Sequence, residues 1–316
     1  MDNLTHGLVG ALIGQMGLKR KTGLAMPTLI IAANIPDIDA VATLLGGHQH
    51  LAIRRGITHG PIAMVVLPLL LWAAMLWFDA WQTRRGKRPS KRLPIHKGWL
   101  LALAYIGCLS HPLFDWFNSY GIRLLEPFSS QWFYGDTIFI IDIWLWIALI
   151  AGVWISLRRE RQNQANWRVP AVASFAAICA YIFANGLITG RAERLTADAV
   201  EKKHDIIPSL VVANPVPVQF WKREILWRDG TRYGQGIYSV PSAVIVDDKI
   251  GLHQMKGSQT KALARDDVNG SAFLFWARMP IVQTADDEMK LSDQRFGNPL
   301  VSDRFTVSVP LKGKSE

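Results

Sequence analysis

Histidine and aspartate recur in this chain at spacings that suit a divalent metal ion. His111-Pro112-Leu113-Phe114-Asp115 sets an imidazole and a carboxylate four residues apart, which on a helix is one face. Asp2 and His6 repeat that spacing. Asp37 and Asp39 flank Ile38 directly after Pro36. Proline disfavours helix in the residue before it, so a bend there turns both carboxylates toward a cavity. Arg55-Gly56-Ile57-Thr58-His59-Gly60 adds another imidazole and a guanidinium suited to bidentate capture of phosphate or carboxylate. Imidazole with carboxylate is the ligand set of zinc and related ions, and a catalytic ion keeps a position open for water.

Elements must bring these residues together, and hydropathy shows where they lie. Half of the 316 residues are apolar, concentrated between Leu4 and Ile188. Segments 61–78, 136–157 and 169–189 approach or exceed the ~18–20 residues that cross ~30 Å of hydrocarbon. Segment 98–117 is apolar but carries His111 and Asp115 near its end. Segment 4–18 is short and glycine-rich, and 24–45 is interrupted by Pro36, Asp37 and Asp39. Both read as helices that enter the bilayer or its interface. The expected fold is mainly α: a polytopic helical membrane domain of about six segments over residues 1–190. A small β-rich soluble domain follows over 191–316, with strands expected at 240–246, 272–276 and 305–309. Arg228-Asp229-Gly230 and Asn269-Gly270 supply turn signals there.

The net charge of +10 belongs to the membrane topology, so no nucleic-acid partner is expected. Basic residues crowd loops 79–97 and 158–168 and the turn Lys19-Arg20-Lys21, which the positive-inside rule makes cytoplasmic. Arg54-Arg55 is the exception, falling outside. Both termini and the soluble tail are then extracytoplasmic, periplasmic in a Gram-negative bacterium. Lys19-Arg20-Lys21 follows the first apolar stretch, the reverse of a secretory leader, so Met1 is expected to remain. On this topology His6, Asp37, Asp39, His59, His111, Asp115, Asp136 and Asp142 all lie toward the outer face. The charge rule ignored these residues, so their convergence is independent of it.

Each fragment also has an ordinary reading. Asp136 suits a helix N-cap, and Asp2 suits a cap of the first segment. His48 and His50 lie in a glycine-rich loop, His96 in a basic loop, and His204 and His253 in the tail without carboxylate neighbours. Cys108 and Cys179 fall in separate apolar segments and give neither a disulfide framework nor zinc-type spacing. Trp116, Trp132 and Trp144 fit interfacial belts.

Taken in order, Asp2-x-x-Thr5-His6-Gly7, Pro36-Asp37-Ile38-Asp39, Arg55-Gly56-x-Thr58-His59-Gly60 and His111-x-x-x-Asp115 resemble the bacterial inner-membrane metal-dependent hydrolases. Members are also described as membrane-associated hydrolases linked to the LexA regulon. The resemblance covers residues 1–190 and implies a helical integral-membrane fold with metal-dependent hydrolase activity. The motif order is also similar to zinc-dependent phospholipase C and P1-type nucleases, which cleave phosphodiesters on a multi-zinc cluster. This chain departs from them: no H-x-x-x-E follows, and no apolar segment after His111 carries a histidine. One or two ions, zinc first among them, are therefore expected.

The expected metal ligands are His6, His59 and His111, with Asp37, Asp39 and Asp115 as carboxylates. Asp39, Asp115 and Arg55 are the expected catalytic groups, Arg55 holding an anionic substrate. That substrate is expected to be a phosphoester or lipid-linked molecule at the outer membrane face. One alternative is an ion or metal transporter, because intramembrane carboxylates and histidines also mark ion paths. Another is a membrane-anchored sensing or binding protein that acts through its C-terminal domain.

Overall fold

A computed structural model describes residues 1–252, 266–285, 288–297 and 302–310, so His253 lies outside the described residues. The chain divides into two compact units: Met1–Asp39 with Arg55–Ala184, and Ala40–Arg54 with Asn185–Glu316.

The first unit is helical. α1, Asn3–Gln15, starts at Asp2, whose carboxylate accepts from the Thr5 N–H, and stops where Gly17 enters the left-handed region at φ 118°. α2, Ala25–Ala32, gives way to a 3-10 helix, Ile35–Leu45, at a bend of 43°. The break falls at Ala33 and Asn34, just ahead of Ile35-Pro36. After a short α3, His50–Ile53, come α4, Pro61–Arg84, with proline at its first position, and α5, Lys97–Trp116, capped by His96. α6, Ile143–Arg161, and α7, Val169–His204, complete the helices of this region.

Among the described residues, α4 and α7 are each long and apolar enough to cross a membrane, and the bent pair of α2 with the 3-10 helix makes a third candidate span. Six membrane segments were expected from the sequence. The difference has physical causes. The 13 residues of α1 reach only about 20 Å. Segment 136–157 is helical only from Ile143, because Asp142, rather than Asp136, accepts from the N–H groups of Trp144 and Leu145. α6 then ends on Arg158, Arg159 and Arg161, which shortens its apolar run.

Helix packing in this unit rests on small residues. A Cβ placed on Gly10 of α1 would stand 2.6 Å from the Leu29 carbonyl oxygen of α2, and one on Gly107 of α5 would stand 2.8 Å from the same atom. Two helices therefore close on one carbonyl of α2, as small-residue interfaces in membranes allow. Val9, Leu12, Phe114, Ile138, Leu145 and Leu149 form one core; Ala32, Met64, Leu71, Leu100 and Ala104 form another. The basic turns meet at one end. Lys19 pairs with Glu160, Arg20 lies 3.4 Å from Glu160, and Lys19, Arg20 and Arg168 all stand over the Trp167 ring.

The second unit holds two antiparallel sheets. One contains β1, Leu210–Pro215, β2, Lys222–Asp229, β3, Arg232–Ser239, and β4, Ile245–Val246, in that order, with β5, Gly251–Leu252, also on β3. The Asp229-Gly230 turn joins β2 to β3, with Gly230 at φ 57°. Ala192 of α7 packs with Ala213, Ile225 and Tyr238 of the sheet. The other sheet orders β6, Pro280–Ala285, β7, Glu288–Asp293, and β8, Thr306–Pro310. The strand expected at 272–276 is instead part of α8, Val268–Trp276. Asp267 caps it through the Gly270 N–H, so Asn269-Gly270 lies in the helix and is not a turn. Ala272, Phe273 and Trp276 are buried at helical spacing. The run expected at 240–246 pairs only at Ile245–Val246.

Candidate metal centre

Helix ends gather the site at the pole of the first unit opposite its basic turns. His111 and Asp115 occupy the last turns of α5, and His59 closes a 3-10 turn, Ile57–His59, just before α4. Asp37 sits in the first turn of the 3-10 helix that follows α2, and His6 lies near the start of α1. All five are buried.

Four of them, Asp37, His59, His111 and Asp115, offer ligand atoms that all fall within 4.8 Å of one another. His59 Nε2 and His111 Nε2 are 3.1 Å apart. Asp115 Oδ2 is 3.6 Å from the first and 3.5 Å from the second, and Asp37 Oδ1 is 3.8 Å from His111 Nε2. Ligands bound at 2.0–2.2 Å to a tetrahedral ion stand about 3.3–3.6 Å apart, so these separations approximate the edges of such a polyhedron.

Hydrogen bonds behind the rings determine which nitrogens face inward. His111 Nδ1 lies 2.7 Å from the Ala33 carbonyl, which can only accept, so Nδ1 carries the proton and Nε2 a lone pair. Thr58 Oγ1 donates to Asp39 Oδ2 at 2.9 Å and therefore accepts from His59 Nδ1, also at 2.9 Å. His59 Nε2 is then likewise a lone pair. Two lone pairs 3.1 Å apart have no proton to share, and Asp115 Oδ2 beside them is buried without a hydrogen bond. A cation answers all three needs, so the residues fit a divalent ion. Burial lowers the His59 pKa below the ordinary imidazole value, which favours the neutral form that coordinates.

The remaining expected site residues surround this group. Asp39 accepts from the Arg55 backbone N–H at 2.7 Å and from Thr58, and stands 3.5 Å from His59 Nδ1. At three residues per turn, side chains two apart on a 3-10 helix point about 120° apart, so Asp37 and Asp39 face different partners instead of one cavity. His6 stacks on His111, with ring centroids 3.7 Å apart, and places Nε2 3.3 Å from Asp115 Oδ1. Met1 contacts the same carboxylate oxygen through its amino group. Arg55 adopts φ 54°, uncommon for a residue other than glycine, which directs its N–H to Asp39. Its guanidinium reaches Asp115 Oδ1 at 3.0 Å, Asn118 Oδ1 at 3.0 Å and the Gly121 carbonyl at 3.2 Å, and stacks on Tyr120.

Asp2 caps α1 and Asp142 caps α6, so neither joins the cluster. His96 is exposed at the start of α5, and His204 lies near the Asp247 carbonyl in the second unit. Thr58, Asn118 and the Ala33 carbonyl were missed as supports. Thr58 stands beside His59 and Asn118 three residues after Asp115, spacings that hinted at them, whereas nothing in a sequence marks a carbonyl.

Comparison with known proteins places the chain in a family. The uncharacterized protein YfhP of Bacillus subtilis (strain 168) is 22% identical over 289 residues, covering 87% of this chain and 79% of that protein. No solved structure matches. The YdjM inner membrane protein family matches residues 1–192, the stretch that contains every helix and side chain of the cluster. The chain belongs to the YdjM inner membrane protein family.

Proposed function

We propose that the protein is an integral-membrane hydrolase of the bacterial inner membrane whose site holds one or two divalent ions, zinc first among them. The observation that carries the reading is the pair of inward Nε2 lone pairs 3.1 Å apart beside an unbonded Asp115 oxygen. His59, His111, Asp37 and Asp115 would hold the ion. A divalent ion there polarises a scissile group and lowers the pKa of water toward neutrality.

The chain's own groups do the positioning. Asp39 acts through Thr58 to fix the tautomer of His59, and the Ala33 carbonyl does the same for His111. Arg55 balances the charge of Asp115 and orients it; this role replaces direct capture of an anion, since its outer nitrogens already engage protein acceptors. His6 packs under His111 and keeps that ring in place.

The substrate class proposed is a phosphoester, lipid or lipid-linked, met at the outer face of the membrane with the C-terminal domain outside. Support comes from the membrane family and from the basic turns at the opposite pole from the cluster. A transport path would need polar partners further along the helices, and among the described residues this is the one group of its kind. The test is metal analysis of purified protein by plasma mass spectrometry. His59→Ala and His111→Ala should lose the ion, whereas His96→Ala and His204→Ala should keep it; equal content in all four removes the assignment.

A further inference from the structure

The 3-10 helix Ile35–Leu45 presents two chemistries on its two sides. Residues three apart eclipse in such a helix, so Ile38, Val41 and Leu44 form one row. That row grows more exposed along its length, from 52% through 66% to 83%. Asp37, Asp39 and Ala42 are buried on the other sides. Eleven residues is long for a helix type whose hydrogen bonds are poorly aligned and whose runs seldom pass about four residues. Its surroundings must therefore hold it. The buried side is held by Arg55, Thr58 and the ligand group. The apolar row needs an apolar partner.

We propose that this row lies among the acyl chains of the bilayer, and that lipid is the partner holding the helix, and with it Asp37 and Asp39, in register with the histidines. Three observations support lipid as the occupant. The 3-10 helix and α2 together are apolar enough to count as a bent membrane span. The family is an inner-membrane family. Exposed apolar side chains also flank the other ligand sequences: Ile57 precedes Thr58 and His59, and Leu113 lies between His111 and Asp115. Within the first unit, Ile38, Ile57 and Leu113 thus set exposed apolar side chains next to ligand residues in sequence.

The lipid contact stands without the metal reading; the claim that lipid keeps the site assembled rests on it. The experiment separates the two. Protein lacking Cys108 and Cys179, through Cys108→Ala and Cys179→Ser, is reconstituted in phospholipid nanodiscs with a nitroxide on Val41→Cys, Leu44→Cys or Asp248→Cys. Asp248 is 94% exposed and serves as the aqueous reference. Labels at 41 and 44 should relax with oxygen and resist a water-soluble nickel chelate, and the label at 248 should do the reverse. Nickel access at 41 and 44 equal to that at 248 overturns the lipid contact, whatever the metal content.

The second arm reads zinc. Val41→Asp in nanodiscs should bind zinc about 10-fold more weakly, as disturbing the groups behind a ligand does, while Val41→Leu binds as wild type. Since Val41→Asp can fail to insert, wild type is also moved from nanodiscs into a short-chain detergent, which should release zinc. Zinc held equally by both variants and in both surroundings overturns the coupling. Zinc retained by His111→Ala in nanodiscs would instead count against the metal reading alone.

Discussion

Thr58 is the smallest group on which the site depends. Its hydroxyl donates to Asp39 and accepts from His59, so it converts a carboxylate into a choice of imidazole tautomer. Thr58→Val keeps the shape and removes the relay; zinc affinity should fall about 10–100-fold, and Thr58→Ser should restore most of it, as competition with a chelating dye would measure. Arg55→Gln makes a different point. Without an ion, it leaves the buried Asp115 carboxylate short of a cation, and breaking such a pair costs about 3–5 kcal/mol. With zinc bound, Asp115 gains another cation, so the variant should melt lower than wild type mainly in the metal-free form. An equal loss in both forms would show that Arg55 does not answer for Asp115. Asp115→Asn should abolish most hydrolysis of a phosphoester substrate while the protein still inserts, because the amide keeps the shape but not the charge.

At the scale of elements, the spacing between helices sets the ligand distances. Gly10 and Gly107 let α1 and α5 approach the Leu29 carbonyl of α2, and α2 ends four residues later at the Ala33 carbonyl that fixes His111. A methyl at Gly107 would also stand 2.7 Å from the Ala32 Cβ, so backbone must shift to admit it. Gly107→Ala should therefore cost about 1–3 kcal/mol by overpacking and weaken zinc binding along with it. A thermal melt in detergent read with and without zinc checks both. Much of this was legible in the sequence, and the part that was not has a physical cause. His111 and Asp115 could be paired because an α-helix repeats every 3.6 residues. Asp37 and Asp39 could not be told apart, since a 3-10 helix repeats every 3.0, and no residue announces that change. Ala272-Phe273-Leu274-Phe275-Trp276 read as a strand because short apolar runs have no decisive period, and the capping Asp267 lies outside the run. The turn between β2 and β3 was legible because it needs the left-handed Gly230, whereas the strands on either side of it were not among those expected.

For the whole molecule, acid should act first on the second unit. In the second, Asp293 grips Arg295 through two 2.9 Å side-chain bonds and also accepts from the Met279 N–H. Burial opposes its ionisation, but Arg295 and these donors hold its pKa below the ordinary value of 3.8. The folded chain thus binds this proton less readily than the unfolded one. Its stabilisation is full above about pH 4 and is lost as pH falls through the lower folded value. Glu224 works the other way, since burial raises its pKa above 4.5 and its ionisation costs stability at higher pH. Asp293→Asn should leave Arg295 uncompensated and cost about 3–5 kcal/mol at neutral pH, with the penalty shrinking in acid. Pulse proteolysis of the full chain across pH 3–7 reads both effects. The topology proposed above also makes an expectation at this scale: alkaline phosphatase fused after Glu316 should be active, and a fluorescent reporter that matures only in the cytoplasm should be dark.

The ligand group lies early in the chain. Asp37, His59, His111 and Asp115 have all been synthesised once residue 116 is added, and so have the helices that aim them. At ~5–20 residues per second, the roughly 200 residues that remain take about 10–40 s to translate. During that interval the nascent chain already possesses a complete set of donors, while the β-strands do not yet exist. On the proposed reading, ion capture would be an event of biogenesis, able to pin α2, α4 and α5 together before the later helices arrive. Ribosome-stalled chains ending near residue 190 should retain radioactive zinc in membranes, and the same chains carrying His111→Ala should not.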